Sequence, residues 1–277
     1  MNKDYVQAQA QSYANQGNIF TIPAKMLRSI FTIPLGFQPL GIASRGNRIA
    51  IAAYFEPAIC LADITSDDTG LHFKLEWIRG VRHGKKSVRL FSNFLIKSEA
   101  NRAQTVNFET ADSLWVSRNG DRTFFKICRS AEGCGWVLSR EKKTLPGQGM
   151  MHSALLRNDI METIESTVSL KTWSHCQYDW PSLNQMTTAE CEPFTYGIAF
   201  YDDGINTPWV ITDYRIATSR KGICYGNRLI VPGIYGNGLC FLPDESMLVT
   251  RYGQASGGPF NGEPGALIYV PAALISR

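Results

Sequence analysis

Three stretches of this chain share one pattern, and no other feature constrains its fold as tightly. Leu40–Tyr54 reads LGIASRGNRIAIAAY, Tyr196–Tyr214 reads YGIAFYDDGINTPWVITDY, and Asn237–Tyr252 reads NGLCFLPDESMLVTRY. Each has a glycine and a short alternating apolar strand, then a polar turn, then a second strand with alternating β-branched residues. Such a unit carries apolar side chains on both faces and cannot bury them alone. It needs neighbours of the same kind, stacked in a row or a ring.

That requirement predicts an all-β chain folded as a single β-propeller. Strand-like runs recur at Ala58–Ile64, Leu71–Ile78, Val88–Ile96, Ser113–Ser117, Thr123–Cys128, Arg228–Val231 and Ala266–Val270. Turn formers punctuate them at Arg45-Gly46-Asn47, Asn119-Gly120-Asp121, Asp202-Asp203-Gly204 and Pro243-Asp244-Glu245. Only Ser153–Ser166 reads as a helix, and its Ile160 and Ile164 suit a strand as well. Inner strands are expected to start near Gly41, Val106, Gly197 and Gly238. Gly197 to Gly238 is one blade's length. Val106 to Gly197 is two, with a weaker start near Met151. Gly41 to Val106 is one blade plus an insertion, or two short blades. Five blades are therefore expected, with six as the alternative. After Gly238 the chain has room for only three strands. The sequence IFTIP, which occurs at Ile19–Pro23 and again at Ile30–Pro34, is expected to supply the fourth and close the ring. Residues 1–17 read as a polar tail and 18–277 as the propeller domain.

The totals exclude several classes. Of 277 residues, 44% are hydrophobic and 19% charged, enough for a large core in one all-β domain. The 28 basic and 24 acidic residues give a net charge of +4, too mild for a nucleic-acid footprint. The one local exception is the basic stretch Arg79–Arg102, which also suits a charge-protected edge strand. No stretch reaches membrane-span length, and the polar N-terminus lacks the apolar core of a signal peptide. A cytoplasmic protein is expected. The seven cysteines form no CxxC pair, and the four histidines stand at no metal-ligand spacing. Cys60, Cys128, Cys224 and Cys240 sit in apolar strand patterns, whereas Cys134, Cys176 and Cys191 have polar neighbours. No metal and no cofactor are expected.

In a propeller the inner strands line a channel, and loops at one mouth carry variable side chains. The residues that follow each second strand are Tyr54 and Glu56; Arg118 and Asn119; Asp213 and Tyr214; and Arg251 and Tyr252. Arginine offers a planar fork of donors to carboxylate or phosphate, and tyrosine offers a flat face with a hydroxyl. Converging from several blades, they would form a polar pocket for a small molecule. Alternatively they tie blade to blade. A loop at Ser174–Pro193, rich in Trp and Tyr, is a second candidate surface, and Gly253–Pro259 reads as a flexible loop over the mouth.

The segment Asn237–Glu245 followed by Met247–Thr250 resembles the strand pair of gluconolactonase-like and NHL-type propellers, and Tyr196–Asp213 is similar to it. The resemblance implies a propeller and, for the lactonase-like members, hydrolysis at a channel-bound divalent cation. Asn237 matches the asparagine ligand of that site. The chain departs from the pattern elsewhere: the N-terminal glutamate ligand is absent, and Arg251 stands where an aspartate is expected. Three functional classes remain on this reading, a nucleic-acid or anionic-surface binder through Arg79–Arg102 ranking behind two that stand almost level, the enzyme slightly ahead. One is a small-molecule enzyme with Asp213 or Glu56 as base, Arg118 or Arg251 stabilising an oxyanion, and Tyr54, Asn119, Tyr214, Asn237 and Tyr252 binding the ligand. The other is a non-catalytic propeller that recognises a protein or glycan through its loops.

Overall fold

The computed structural model describes residues 19–53, 58–83, 86–89, 103–118, 121–132, 135–201, 207–212, 222–251 and 265–275. Two strands, β1 (Ile19–Pro23) and β2 (Phe31–Pro34), come first. Blade 1 contains β3 (Pro39–Arg45), β4 (Arg48–Ala53), β5 (Ala58–Asp67) and β6 (Gly70–Ile78). A hairpin, β7 (Gly80–His83) and β8 (Lys86–Arg89), leads to blade 2: β9 (Ala103–Thr110), β10 (Ser113–Arg118), β11 (Thr123–Arg129) and β12 (Trp136–Thr144). Blade 3 is β13 (Met150–Arg157), β14 (Ile160–Ser166), β15 (Trp173–Asp179) and β16 (Gln185–Glu190). Blade 4 is β17 (Thr195–Ala199), β18 (Trp209–Thr212), β19 (Gly222–Tyr225) and β20 (Arg228–Pro232). Blade 5 is β21 (Gly238–Phe241), β22 (Met247–Arg251) and β23 (Ala266–Val270).

The ring is a five-bladed β-propeller, with inner strands at all five expected starts. Blade 5 takes its outermost strand from β2, which pairs antiparallel with β23 in the register Phe31↔Tyr269 to Pro34↔Ala266. The other copy of IFTIP, β1, adds a fifth strand to the outside of blade 1 by pairing with β6. Both N-terminal strands are thus edge strands, where the prolines Pro23 and Pro34 are tolerated. The insertion between blades 1 and 2 is the β7–β8 hairpin, joined to the edge of blade 2 by a parallel β7–β12 contact. The rest of the basic stretch, from Leu90 to Arg102, lies outside the described residues, as do residues 1–18. No described helix is long and apolar enough to cross a membrane.

Ser153–Ser166 is a hairpin rather than a helix. Asn158 and Asp159 have φ of 46° and 58°, the two left-handed residues of a tight turn whose twist matches paired strands. β13 and β14 pair across it from Arg157↔Ile160 to Met150↔Ser166. The Ser174–Pro193 segment is not a long loop either. It contributes β15 and β16, and the period of two places Cys176, Tyr178 and Trp180 on one buried face.

Side chains from facing blades form five apolar seams. The seam between blades 5 and 1 contains Ile42, Ile51, Cys60, Phe73, Leu248 and Leu267, with Phe20 and Ile33 from the N-terminal strands. Among the described residues, the seam between blades 3 and 4 is small, with Ile164, Trp173 and Ile198 fully in it. The glycines that mark the repeat sit where inner strands crowd the axis. A Cβ on Gly238 would stand 2.8 Å from Leu40 O, and one on Gly197 2.7 Å from Leu239 Cδ2. The six described cysteines, Cys60, Cys128, Cys176, Cys191, Cys224 and Cys240, are free thiols; Cys134 lies outside the description.

Candidate functional site

Strand register defines the two mouths of the channel. At one, the inner strands begin and the second strands end, as in the pairs Arg118↔Ala103, Ser166↔Met150 and Thr250↔Gly238. At the other lie the turns that join inner to second strands. The expected site belongs to the first mouth. Arg118 is the last residue of β10 and Arg251 the last of β22, at equivalent positions of blades 2 and 5. Asn237 directly precedes β21, is 6% exposed, and lines the channel. Tyr54, Glu56, Asn119, Asp213, Tyr214 and Tyr252 lie outside the described residues, as does the Gly253–Pro259 loop.

Each of the two arginines makes a local contact. Arg118 Nη2 pairs with Asp121 Oδ2 at 3.0 Å across the turn of its own blade. Arg251 places its guanidinium 5.6 Å from the Tyr235 ring centroid, beside the link that enters blade 5, and donates weakly to the Tyr235 hydroxyl at 3.5 Å. Neighbouring blades are tied at the axis by other groups. Thr250 Oγ1 donates to Leu40 O across the seam between blades 5 and 1, and Leu156 N–H donates to Asn107 Oδ1 at 3.0 Å between blades 2 and 3.

The channel narrows to a waist lined by Gly41, Thr105, His152, Ser153, Gly197 and Asn237, among others, with a void of about 10 Å3. That admits at most one water, so a larger ligand stays at a mouth. His152 was not singled out by sequence. It falls at the bulge of β13 between Met151 and Ser153, as Tyr196 falls at the bulge of β17 between Thr195 and Gly197. Its ring stacks on Trp173 at 4.3 Å and meets Tyr196 edge-on, while Nε2 lies 2.7 Å from Ser166 Oγ. Burial pulls its pKa from 6.5 down to about 4, against the opposing effect of Glu165, so the imidazole is neutral at pH 7. A groove of about 310 Å3 opens beside Glu165, Ser166 and Thr167 on the same face.

Two buried ionic networks involve blade 3, the first joining it to Arg122 of blade 2. Arg122 clamps Glu165 with Nη1–Oε2 at 2.7 Å and Nη2–Oε1 at 3.1 Å, donates to Tyr178 Oη at 2.8 Å, and reaches the carbonyl of Pro146. The fully buried Glu162 accepts from Arg157 at 2.9 Å, from Gln177 at 3.2 Å, and pairs with His175 Nε2 at 2.7 Å. Burial pushes the Glu162 pKa up, but His175, Arg157 and Gln177 outweigh it and hold the carboxyl below its usual range. His175 and Cys176 point to opposite faces of β15, toward Glu162 and toward the seam with blade 2, so they form no nucleophilic pair.

The second mouth holds a cleft of about 390 Å3 between the inner-strand ends of blades 1, 2 and 3. Its lining includes Arg45, Asn107, Glu109, Arg157, Asp159 and Trp180.

Among the described residues, the donors at the first mouth do not fit a hard divalent cation. Such ions take several oxygen ligands with carboxylates among them, whereas the described waist offers one amide, two hydroxyls and an imidazole engaged with Ser166. Among the described residues, no three His, Cys, Asp or Glu side chains cluster as a metal site requires.

No protein-family model and no curated protein matches this sequence. Among solved structures, a luciferin-regenerating enzyme superposes with a TM-score of 0.50 at 12% identity, over 88% of this chain and 95% of that one. A gluconolactonase from Xanthomonas campestris gives 0.48 at 10% identity, over 92% and 84%. The PQQ-bound aldose sugar dehydrogenase from Streptomyces coelicolor gives 0.46 at 9%, over 90% and 99%. At these identities the likeness is one of fold, and the first of them shows the propeller architecture that the strand pairing defines.

Proposed function

We propose that this chain is a small-molecule-binding propeller that takes an anionic ligand at the mouth where the second strands end. The observation that supports this most is the placement of Arg118 and Arg251. Two guanidinium groups occupy equivalent strand ends at one mouth, each contacting a residue of its own blade or its link, and the buried Asn237 lines the channel below. Charge-assisted hydrogen bonds from such groups favour carboxylate or phosphate. In this reading Tyr54, Asn119, Tyr214 and Tyr252 wall the ligand. For a lactonase-like hydrolysis Asp213 or Glu56 is the base that activates water, and Arg118 or Arg251 stabilises the oxyanion as it develops. The chemistry is assigned to these side chains, not to a bound cation.

Screening the wild-type protein by thermal shift against sugar acids, lactones and phosphates tests the reading. A ligand at a hundredfold excess over Kd adds about 2.7 kcal/mol to stability, so binding should raise Tm by several degrees. Turnover of a stabilising lactone, lost in Asp213→Asn or Glu56→Gln, would support hydrolysis. Absence of any anionic ligand that raises Tm would sink the binding reading.

A further inference from the structure

The 390 Å3 cleft at the opposite mouth has a charge pattern of its own. Arg45, at the end of β3, donates from Nη1 to the backbone carbonyl of Glu109 at 3.0 Å and makes no ion pair among the described residues. The nearby Glu109 carboxylate does not neutralise it. Its oxygens accept from Trp115 Nε1 at 3.1 Å and Ser113 Oγ at 2.9 Å, and it pairs with Lys126 at 2.9 Å. On the blade 3 side, the Arg157 charge is met by Glu162. Asp159, at the β13–β14 turn, is exposed, and its carboxylate pairs with no cation among the described residues. Among the described residues, the cleft therefore presents a cation from blade 1 and an anion from blade 3 that no ion pair compensates. Between them lie the apolar Ala43, Phe108 and Leu155. Asn107, 1% exposed, belongs to the same lining. Its Oδ1 is fixed by Leu156 N–H, and its sealed Nδ2 has no hydrogen-bond partner. A buried donor left in that state is a net cost unless an acceptor arrives.

We propose that this second mouth binds a small zwitterion, an amine and a carboxylate on one short aliphatic frame, such as an amino acid or a short peptide. Arg45 takes the carboxylate, Asp159 takes the ammonium, and the apolar floor takes the methylenes. The Asn107 amide, after a small shift, donates to a ligand oxygen. The volume lies within the range of small-molecule sites. This site is independent of the first mouth.

The test is calorimetric titration of the full chain with 6-aminohexanoate at low ionic strength, where exposed charge pairs are least screened. Hexanoate and hexylamine serve as single-charge controls. The zwitterion should bind saturably, about tenfold or more tighter than either control. Arg45→Gln should erase its advantage over hexylamine. Asp159→Asn, which keeps a residue tolerant of the left-handed turn, should erase its advantage over hexanoate. Arg118→Ala and Arg251→Ala should change neither. In the wild-type protein, the Asn107 side-chain amide signal should shift on titration. Absence of saturable binding, controls that bind as well as the zwitterion, substitutions without effect, or shifts confined to the other mouth would each overturn the proposal.

Discussion

The seam between blades 5 and 1 and the two seams that flank blade 3 are built by the same strand geometry yet filled by different chemistry. The first is aliphatic and aromatic and is sealed by the two N-terminal strands. Those beside blade 3 hold Arg122, Glu165 and Tyr178 on one side and the Glu162–Arg157–His175 network with His152 on the other. Apolar burial is non-directional and supplies most of the driving force for folding. A buried ion pair offsets its desolvation poorly but demands strict geometry. The contrast divides labour within one ring: the closing seam holds it shut, while blade 3 fixes polar groups beside the channel.

The harshest test of that division is removal of residues 1–35. It takes away β1 and β2, exposes two blade edges, and removes the buried Phe20, Ile22 and Ile33. At about 1.5–3 kcal/mol per buried side chain, the loss is roughly 5 kcal/mol or more, comparable with the whole stability of a typical domain. Insoluble or unfolded protein is expected. A soluble monomer with unchanged Tm would show that the closing seam does not hold the ring.

A smaller loss is expected on the other side of the comparison. Arg122→Ala strands the buried Glu165 carboxylate and should cost about 3–5 kcal/mol in denaturant unfolding. Arg122→Met combined with Glu165→Leu should cost less than Arg122→Ala alone. Equal costs would mean that the network is ordinary packing.

Next in size is a pH effect peculiar to blade 3. The folded-state pKa of His152, about 4, lies below its ordinary 6.5, so the unfolded chain binds the extra proton between those values. Its contribution is complete above pH 6.5 and lost as pH falls toward 4, by roughly 3 kcal/mol. Carboxylates titrate in the same window, so the check is the difference between wild type and His152→Gln. Stability curves of equal slope from pH 6.5 to 4 would contradict it.

The contrast between seams also explains what was legible in the sequence. The glycines of the repeat, Gly197 and Gly238, mark points where a Cβ would strike the next inner strand, so a steric need at the axis left a visible residue. Alternation of apolar residues and the doubled IFTIP announced the blades and their closure. Blade 3 was faint because its inner strand carries Ser153 in place of the glycine. Its apolar residues fall at helical as well as strand spacings, and only the Asn158-Asp159 turn separates the two readings. Arg122 and Glu165 meet although 43 positions apart, and no local period records such a pairing. The strand-end positions of Arg118 and Arg251 were legible because they follow directly from blade phasing, whereas the Asn107 cleft depends on three blades converging.

Arg118 and Arg251 should have the smallest effect on folding and the largest on function. The most direct measurement pairs Tm with ligand Kd for Arg118→Ala and Arg251→Ala, using the anion that most stabilises the wild type. Arg118 is 11% exposed, but its pair with Asp121 spans only three residues, and short-range pairs of this kind are worth about 1 kcal/mol or less to folding, whereas a charged contact in a binding site is worth about 2–5 kcal/mol. The prediction is a nearly unchanged Tm without ligand and a Kd weakened at least thirtyfold. A large fall in Tm with ligand affinity retained would make both arginines ties of the scaffold and contradict a binding site at that mouth.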